Sequence, residues 1–102
     1  MSLDFAVLSQ DGAPEKTVSL GVKEHHELII AAAANGLSRF HDFADYYEDV
    51  EIAPDDLPSL NDQARALRSH IDSVTLQCFL DDLSKLIAYA TASGKALHTI
   101  AD

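Results

Sequence analysis

Between Asp42 and Asp62 the chain carries eight carboxylates and no Lys or Arg. They are Asp42, Asp45, Glu48, Asp49, Glu51, Asp55, Asp56 and Asp62. Carboxylates are almost never fully buried without partners, and like charges at this density repel. Whatever fold holds this segment must therefore keep it at the surface. The whole protein has 102 residues, with 17 Asp and Glu against 7 Lys and Arg, for a net charge of −10. The acids outside the segment are nearly balanced by the bases, so the asymmetry is local. A dense negative patch repels phosphate backbones and anionic membrane surfaces, and it steers basic proteins into encounter. Direct nucleic-acid binding and membrane binding are thus disfavoured, and a basic protein partner is favoured.

The apolar fraction of 47% and the charged fraction of 24% are ordinary for a globular chain. The length suits one domain over residues 1–102 with one core. Cys78 is the sole cysteine, which excludes an intramolecular disulfide and suits a reducing compartment. The N-terminal residues show no basic, apolar leader pattern. The longest apolar run, Leu28 to Ala34, falls far short of the ~20 residues that a membrane span needs. A cytoplasmic protein is expected.

The pattern along the chain predicts a mainly α fold: an antiparallel bundle of about four helices with an N-terminal β-hairpin. Residues 4–22 supply the hairpin. Val18, Leu20 and Val22 alternate with Thr17, Ser19 and Gly21, and Asp11-Gly12 and Pro14 supply turn chemistry. A first helix is expected over 22–35, closed by Gly36, with Val22, Ile29 and Ala33 on its inner stripe. A second is expected over 37–48, from Leu37, Phe40, Ala44 and Tyr47 at helical spacing. Residues 49–58 contain Pro54 and Pro58 and read as a loop with a brief extended part, or a short edge strand. A third helix is expected over 59–72, on Leu60, Ala64, Leu67 and Ile71. A fourth is expected over 74–93, on Leu76, Phe79, Leu80, Leu83, Leu86, Ile87 and Ala90. Gly94 ends that helix, or a last turn continues through Leu97 and Ile100. The core should draw on Ile29, Phe40, Leu67, Leu76, Phe79, Leu80, Leu83 and Ile87.

Catalytic and metal motifs are scarce. An EF-hand counted from Asp45 fails at its third and sixth positions, which are Tyr47 and Val50. His25 and His26 are helical neighbours whose side chains diverge by ~100°, so one should flank the core and the other face water. No HExxH, GxSxG, P-loop or GxGxxG occurs. Cys78, beside the apolar face of the fourth helix, reads as a buried or half-buried inert thiol. The expectation is a protein that is not an enzyme, with no cofactor and no metal site.

Two large amphipathic side chains, Tyr46 and Tyr47, sit inside the acidic segment. Tyrosine is enriched at interface hot spots, and surrounding charge sets the rate of encounter. Tyr47 shares the inward stripe with Phe40, so Tyr46 is the better placed for contact. This Tyr-Tyr pair, flanked by Asp42, Asp45, Glu48 and Asp49, resembles the toxin-contacting segment of the helical immunity proteins of nuclease colicins. Those proteins have Pro directly after the tyrosines, where Glu48 stands here, and they lack an N-terminal hairpin. The resemblance implies an inhibitor that neutralises a cognate bacterial toxin by occluding a basic active site. The implied contact set is Asp42, Asp45, Tyr46, Tyr47, Glu48, Asp49, Glu51, Asp55 and Asp56. A second reading is a small helical homodimeric scaffold or adaptor without catalytic activity, using Leu97 and Ile100.

Overall fold

A computed structural model describes residues 3–43 and 49–101 of the chain. Four strands form one antiparallel sheet: β1 (Leu3–Leu8), β2 (Pro14–Leu20), β3 (Val50–Ile52) and β4 (Leu97–Ala101). The spatial order is β2-β1-β4-β3. Three α-helices accompany it: α1 (Val22–Ala34), α2 (Leu57–Arg68) and α3 (Val74–Ser93). Short 3-10 helices occupy Ser38–Phe43 and Pro54–Asp56. The four-helix bundle expected from periodicity is therefore wrong. The fold is a helical layer packed on a four-stranded sheet.

The hairpin is present, with a shorter loop than expected, and it ends at Leu20, since Val22 already belongs to α1. Its turn is held by the Ser9 N–H donating to Ala13 O at 2.8 Å, with Gly12 at φ 81°. That positive φ suits glycine, which has no Cβ to clash. Strand β2 begins at Pro14, ahead of the expected Thr17. Proline is tolerated there because it is the first residue of an edge strand. Phe5 pairs with Val18 on one side and Thr99 on the other, so β1 is an interior strand.

Strand β4 is the element that the sequence reading missed. Leu97 and Ile100 are spaced by three, which suits a helical turn. Leu97, Thr99 and Ala101 are spaced by two, which suits a strand. The second pattern wins because Leu97 and Thr99 turn into the core between β1 and β3. Gly94 makes the reversal possible. It takes φ 65°, and the Lys95 N–H donates to Ala90 O at 2.9 Å, a Schellman closure of α3.

The helix expected over 37–48 is also corrected. The described part is the 3-10 helix Ser38–Phe43. Phe40 and Phe43 lie three apart, one 3-10 turn, so both rings fall on the same side and are buried. Residues 44–48 of that expected helix lie outside the described residues. Helix α2 runs Leu57–Arg68 in place of 59–72. Pro58 occupies its first turn, where the missing N–H costs nothing, so proline opens this helix where a break was expected. Ile71, in the connection that follows, is still buried.

The core has one centre. Phe5 meets Phe43 edge-on at 5.1 Å between ring centroids, and Phe79 at 5.4 Å. Around them pack Leu3 and Val7 from β1, Leu97 from β4, and Leu76, Leu80, Leu83 and Ile87 from α3. Helix α1 is rotated relative to the expected stripe. His25, Leu28 and Ala32 are its buried residues, Ile29 is only partly buried, and Val22 and Ile30 are exposed. No described helix is long and apolar enough to cross a membrane.

Candidate functional site: the acidic edge

From Asp49 onward the acidic segment forms one edge of the sheet and the entry to α2. Strand β3 pairs with β4 in the register Val50↔Thr99, Glu51↔His98 and Ile52↔Leu97. Its sequence explains this placement. Ile52 is buried and Val50 packs partly against the core, while Glu51 between them points away and is exposed. That alternation is the strand period. A three-residue strand has little ladder to hold it, and two side chains compensate. The Val50 N–H donates to Thr99 Oγ1 at 2.8 Å, and the Thr99 hydroxyl lies 3.5 Å from Val50 O, to which it donates. The Asp49 carboxylate accepts the Ala101 N–H at 2.8 Å. Thr99 is buried, so its hydroxyl has to be satisfied, and β3 satisfies it.

Asp49, Glu51 and Asp55 are exposed. The Glu51 carboxylate lies 3.7 Å from the imidazole Nε2 of His98, an ion pair when that ring is protonated. Asp55 and Asp56 lie in the 3-10 turn that feeds α2, whose N-terminal N–H groups favour nearby negative charge. Asp56 is half-exposed and committed elsewhere: it pairs with Arg39 at 3.3 Å. Arg39 also donates from Nε to Ser59 Oγ at 3.3 Å, and its backbone N–H donates to Gln63 Oε1 at 2.8 Å. It thereby fastens the 3-10 helix Ser38–Phe43 to the first turns of α2. Residues 42–62 contain no cation of their own, so the tertiary fold supplies one from just upstream.

Of the expected contact set, the structure brings Asp49 and Glu51 to the sheet edge and Asp55 and Asp56 to the adjoining turn. Asp42 falls within the 3-10 helix Ser38–Phe43. Asp45, Tyr46, Tyr47 and Glu48 lie outside the described residues. The acidic edge therefore borders the segment that holds the tyrosine pair: residue 49 begins where that segment ends.

Other chemistry-bearing groups have structural settings. The His25 Nε2 lies 2.5 Å from Phe43 O. A carbonyl only accepts, so Nε2 carries the proton, and the ring ties α1 to the end of the 3-10 helix. His26 is exposed. Cys78 is exposed on α3, which corrects the expected burial. Its neighbour Phe79 takes the inward position instead. Arg68 grips Asp81 with two hydrogen bonds, of 2.7 and 3.2 Å. This carboxylate, through its hydrogen bonds and charge, raises the Arg68 pKa above its already high ordinary value, so the guanidinium stays charged at any working pH. Among the described residues, no three His, Cys, Asp or Glu side chains are grouped to hold a metal ion. Leu97, offered by sequence as part of an apolar docking surface, is fully buried in β4. Ile100 faces the other side of the sheet.

Comparison with protein-family models, curated proteins and solved structures found no significant match.

Proposed function

We propose that the protein is a binding inhibitor that presents its acidic edge to a basic protein, and that its partner is a toxin domain whose cationic active site it covers. One observation carries this reading. Asp49, Glu51 and Asp55 stand exposed along β3 and the turn after it, immediately following the acidic tyrosine segment. Exposed carboxylates so arranged raise the local negative potential and accelerate encounter with a basic surface. The edge is also held by Thr99 and Asp49, so presenting it costs little conformational entropy. In this reading Tyr46 is the anchor, and Asp42, Asp45, Glu48, Asp49, Glu51 and Asp55 steer. Occlusion of a cleft needs no catalytic group on the inhibitor. The similarity to colicin immunity proteins then concerns this segment and its chemistry, because the fold is not a four-helix bundle.

The test is capture from the native cell at low salt, with wild-type chain and the D49N/E51Q/D55N variant in parallel. The wild type should retain a basic protein and release it as salt rises. The variant should associate with it at least several-fold more slowly at low salt, with a flatter salt dependence. Retention of a basic partner at unchanged rate by the variant would remove the acidic edge from the interface.

A further inference from the structure

The sheet has two faces, and the helices pack on one of them. Side chains alternate along a strand, and residues opposite each other in register share a face. Phe5, between Val18 and Thr99, belongs to the face that meets the helices. Asp4 lies between Ser19 and Ile100, Ala6 lies between Thr17 and His98, and Glu51 lies opposite His98. These residues form the opposite face. Two shallow grooves run there, of about 350 and 340 Å³, and both are bordered by Leu8 and His98. Strand and loop residues alone line them.

Ala6, Leu8 and Ile100 give this face an apolar centre. None of the three packs against the core. Ala6 is nonetheless fully buried, so its neighbours on the face close over it. Leu8 and Ile100 keep part of their surface open to solvent. The rim is acidic. Asp49 and Glu51 border one groove along β3. Asp4 stands opposite Ile100, its carboxylate accepting the Ser19 hydroxyl at 2.6 Å. The lysine at the other groove, Lys95, is paired with Glu15 at 3.2 Å.

Resting on the binding role proposed for the acidic edge, we infer that the open face of the sheet seats the basic partner, which brings an apolar group ringed by lysine or arginine side chains. Strand β3 is then one border of the contact, and Leu8 and Ile100 are its centre. Protein interfaces commonly combine an apolar centre that loses its water with a polar rim that sets partner and register. Charge complementarity selects the occupant. A second copy would bring Asp4, Asp49 and Glu51 against the same carboxylates, and like charges so placed oppose the contact. A basic surface meets that rim favourably, while its apolar group takes Leu8 and Ile100 out of water.

Methyl NMR of the full chain tests this with a defined probe, a short peptide of alternating Lys and Leu. The Leu8 and Ile100 methyl signals should move as peptide is added. A Lys–Ser peptide of equal charge should bind about tenfold more weakly. L8T/I100T removes the apolar centre while keeping every carboxylate, and it should weaken Lys–Leu binding about tenfold with an unchanged salt dependence. D49N/E51Q should weaken binding too, and should flatten its salt dependence. Circular dichroism checks the folding of each variant, and the wild-type methyl shifts need no variant. Leu8 and Ile100 signals that stay fixed through millimolar peptide would overturn the inference. So would binding that D49N/E51Q lowers and L8T/I100T leaves unchanged, an outcome that keeps the acidic edge as the contact. Binding that neither variant changes would remove both surfaces. A wild type that dimerises in sedimentation equilibrium, and loses the dimer in L8T/I100T, would give the face to a second copy and overturn the basic partner.

Discussion

At the scale of single residues, Thr99 and Phe5 carry the most structure per atom. Thr99 is buried, and its hydroxyl accepts the Val50 N–H and donates to the Val50 carbonyl. Thr99→Val keeps the shape and leaves the Val50 N–H without its acceptor. The expected loss is about 1–2 kcal/mol, read from urea denaturation, with hydrogen-exchange protection in Val50–Ile52 falling first. Phe5 touches Phe43 and Phe79 and is fully buried. Phe5→Ala should cost about 3–5 kcal/mol, enough to consume much of a small domain's stability. The Arg39–Asp56 pair is worth far less, because both side chains are more than a third exposed and water screens them. Asp56→Asn should change stability by less than about 1 kcal/mol in the same denaturation experiment.

At the scale of elements, the helix that was easiest to read is also the best closed. Every residue on the expected face of α3, from Leu76 to Ala90, is buried. Ser73 caps its start, accepting the Leu76 N–H at 3.4 Å, and Gly94 closes its end in the left-handed region. Gly94→Ala has open space around the new Cβ, so its cost is conformational alone, about 1 kcal/mol by thermal melting. The substitution should weaken β4 as well as α3, because Gly94 turns the chain from one into the other. The sequence patterns of residues 38–43 and 97–101 mislead for a related reason. Each has apolar residues three apart, and that spacing is shared by α-helices and 3-10 turns. Only packing separates them: the rings of Phe40 and Phe43 go to the same core, and Leu97 goes to a gap between two strands.

At the scale of the whole molecule, the charge of −10 opposes the compact state. Among the described residues four ion pairs offset it, Arg39–Asp56, Arg68–Asp81, Lys95–Glu15 and the pH-dependent His98–Glu51, and all of them are solvent-accessible. Added salt screens long-range repulsion over a Debye length of about 10 Å at 0.1 M, and weakens these contacts less than it relieves the excess. The urea midpoint should therefore rise between low and moderate ionic strength. A midpoint that falls with salt would mean that the exposed pairs outweigh the repulsion. The association proposed for the acidic edge should respond in the opposite sense, slowing as salt rises.

The sequence by itself determined the hairpin, the extent of α3 and its buried face, because turn chemistry and a long amphipathic period are local properties. It also picked out Asp49, Glu51 and Asp55 as exposed acids. The tertiary structure decided that residues 50–52 and 97–101 are strands. Segments of three and five residues have too little pattern to specify their own conformation, and here they take it from pairing with each other and with β1, which lies at the other end of the chain. It decided too that Asp56 is partnered, since Arg39 reaches it only once the 3-10 helix packs on α2. Pairing across such separations depends on where the core closes, and no local pattern carries that information.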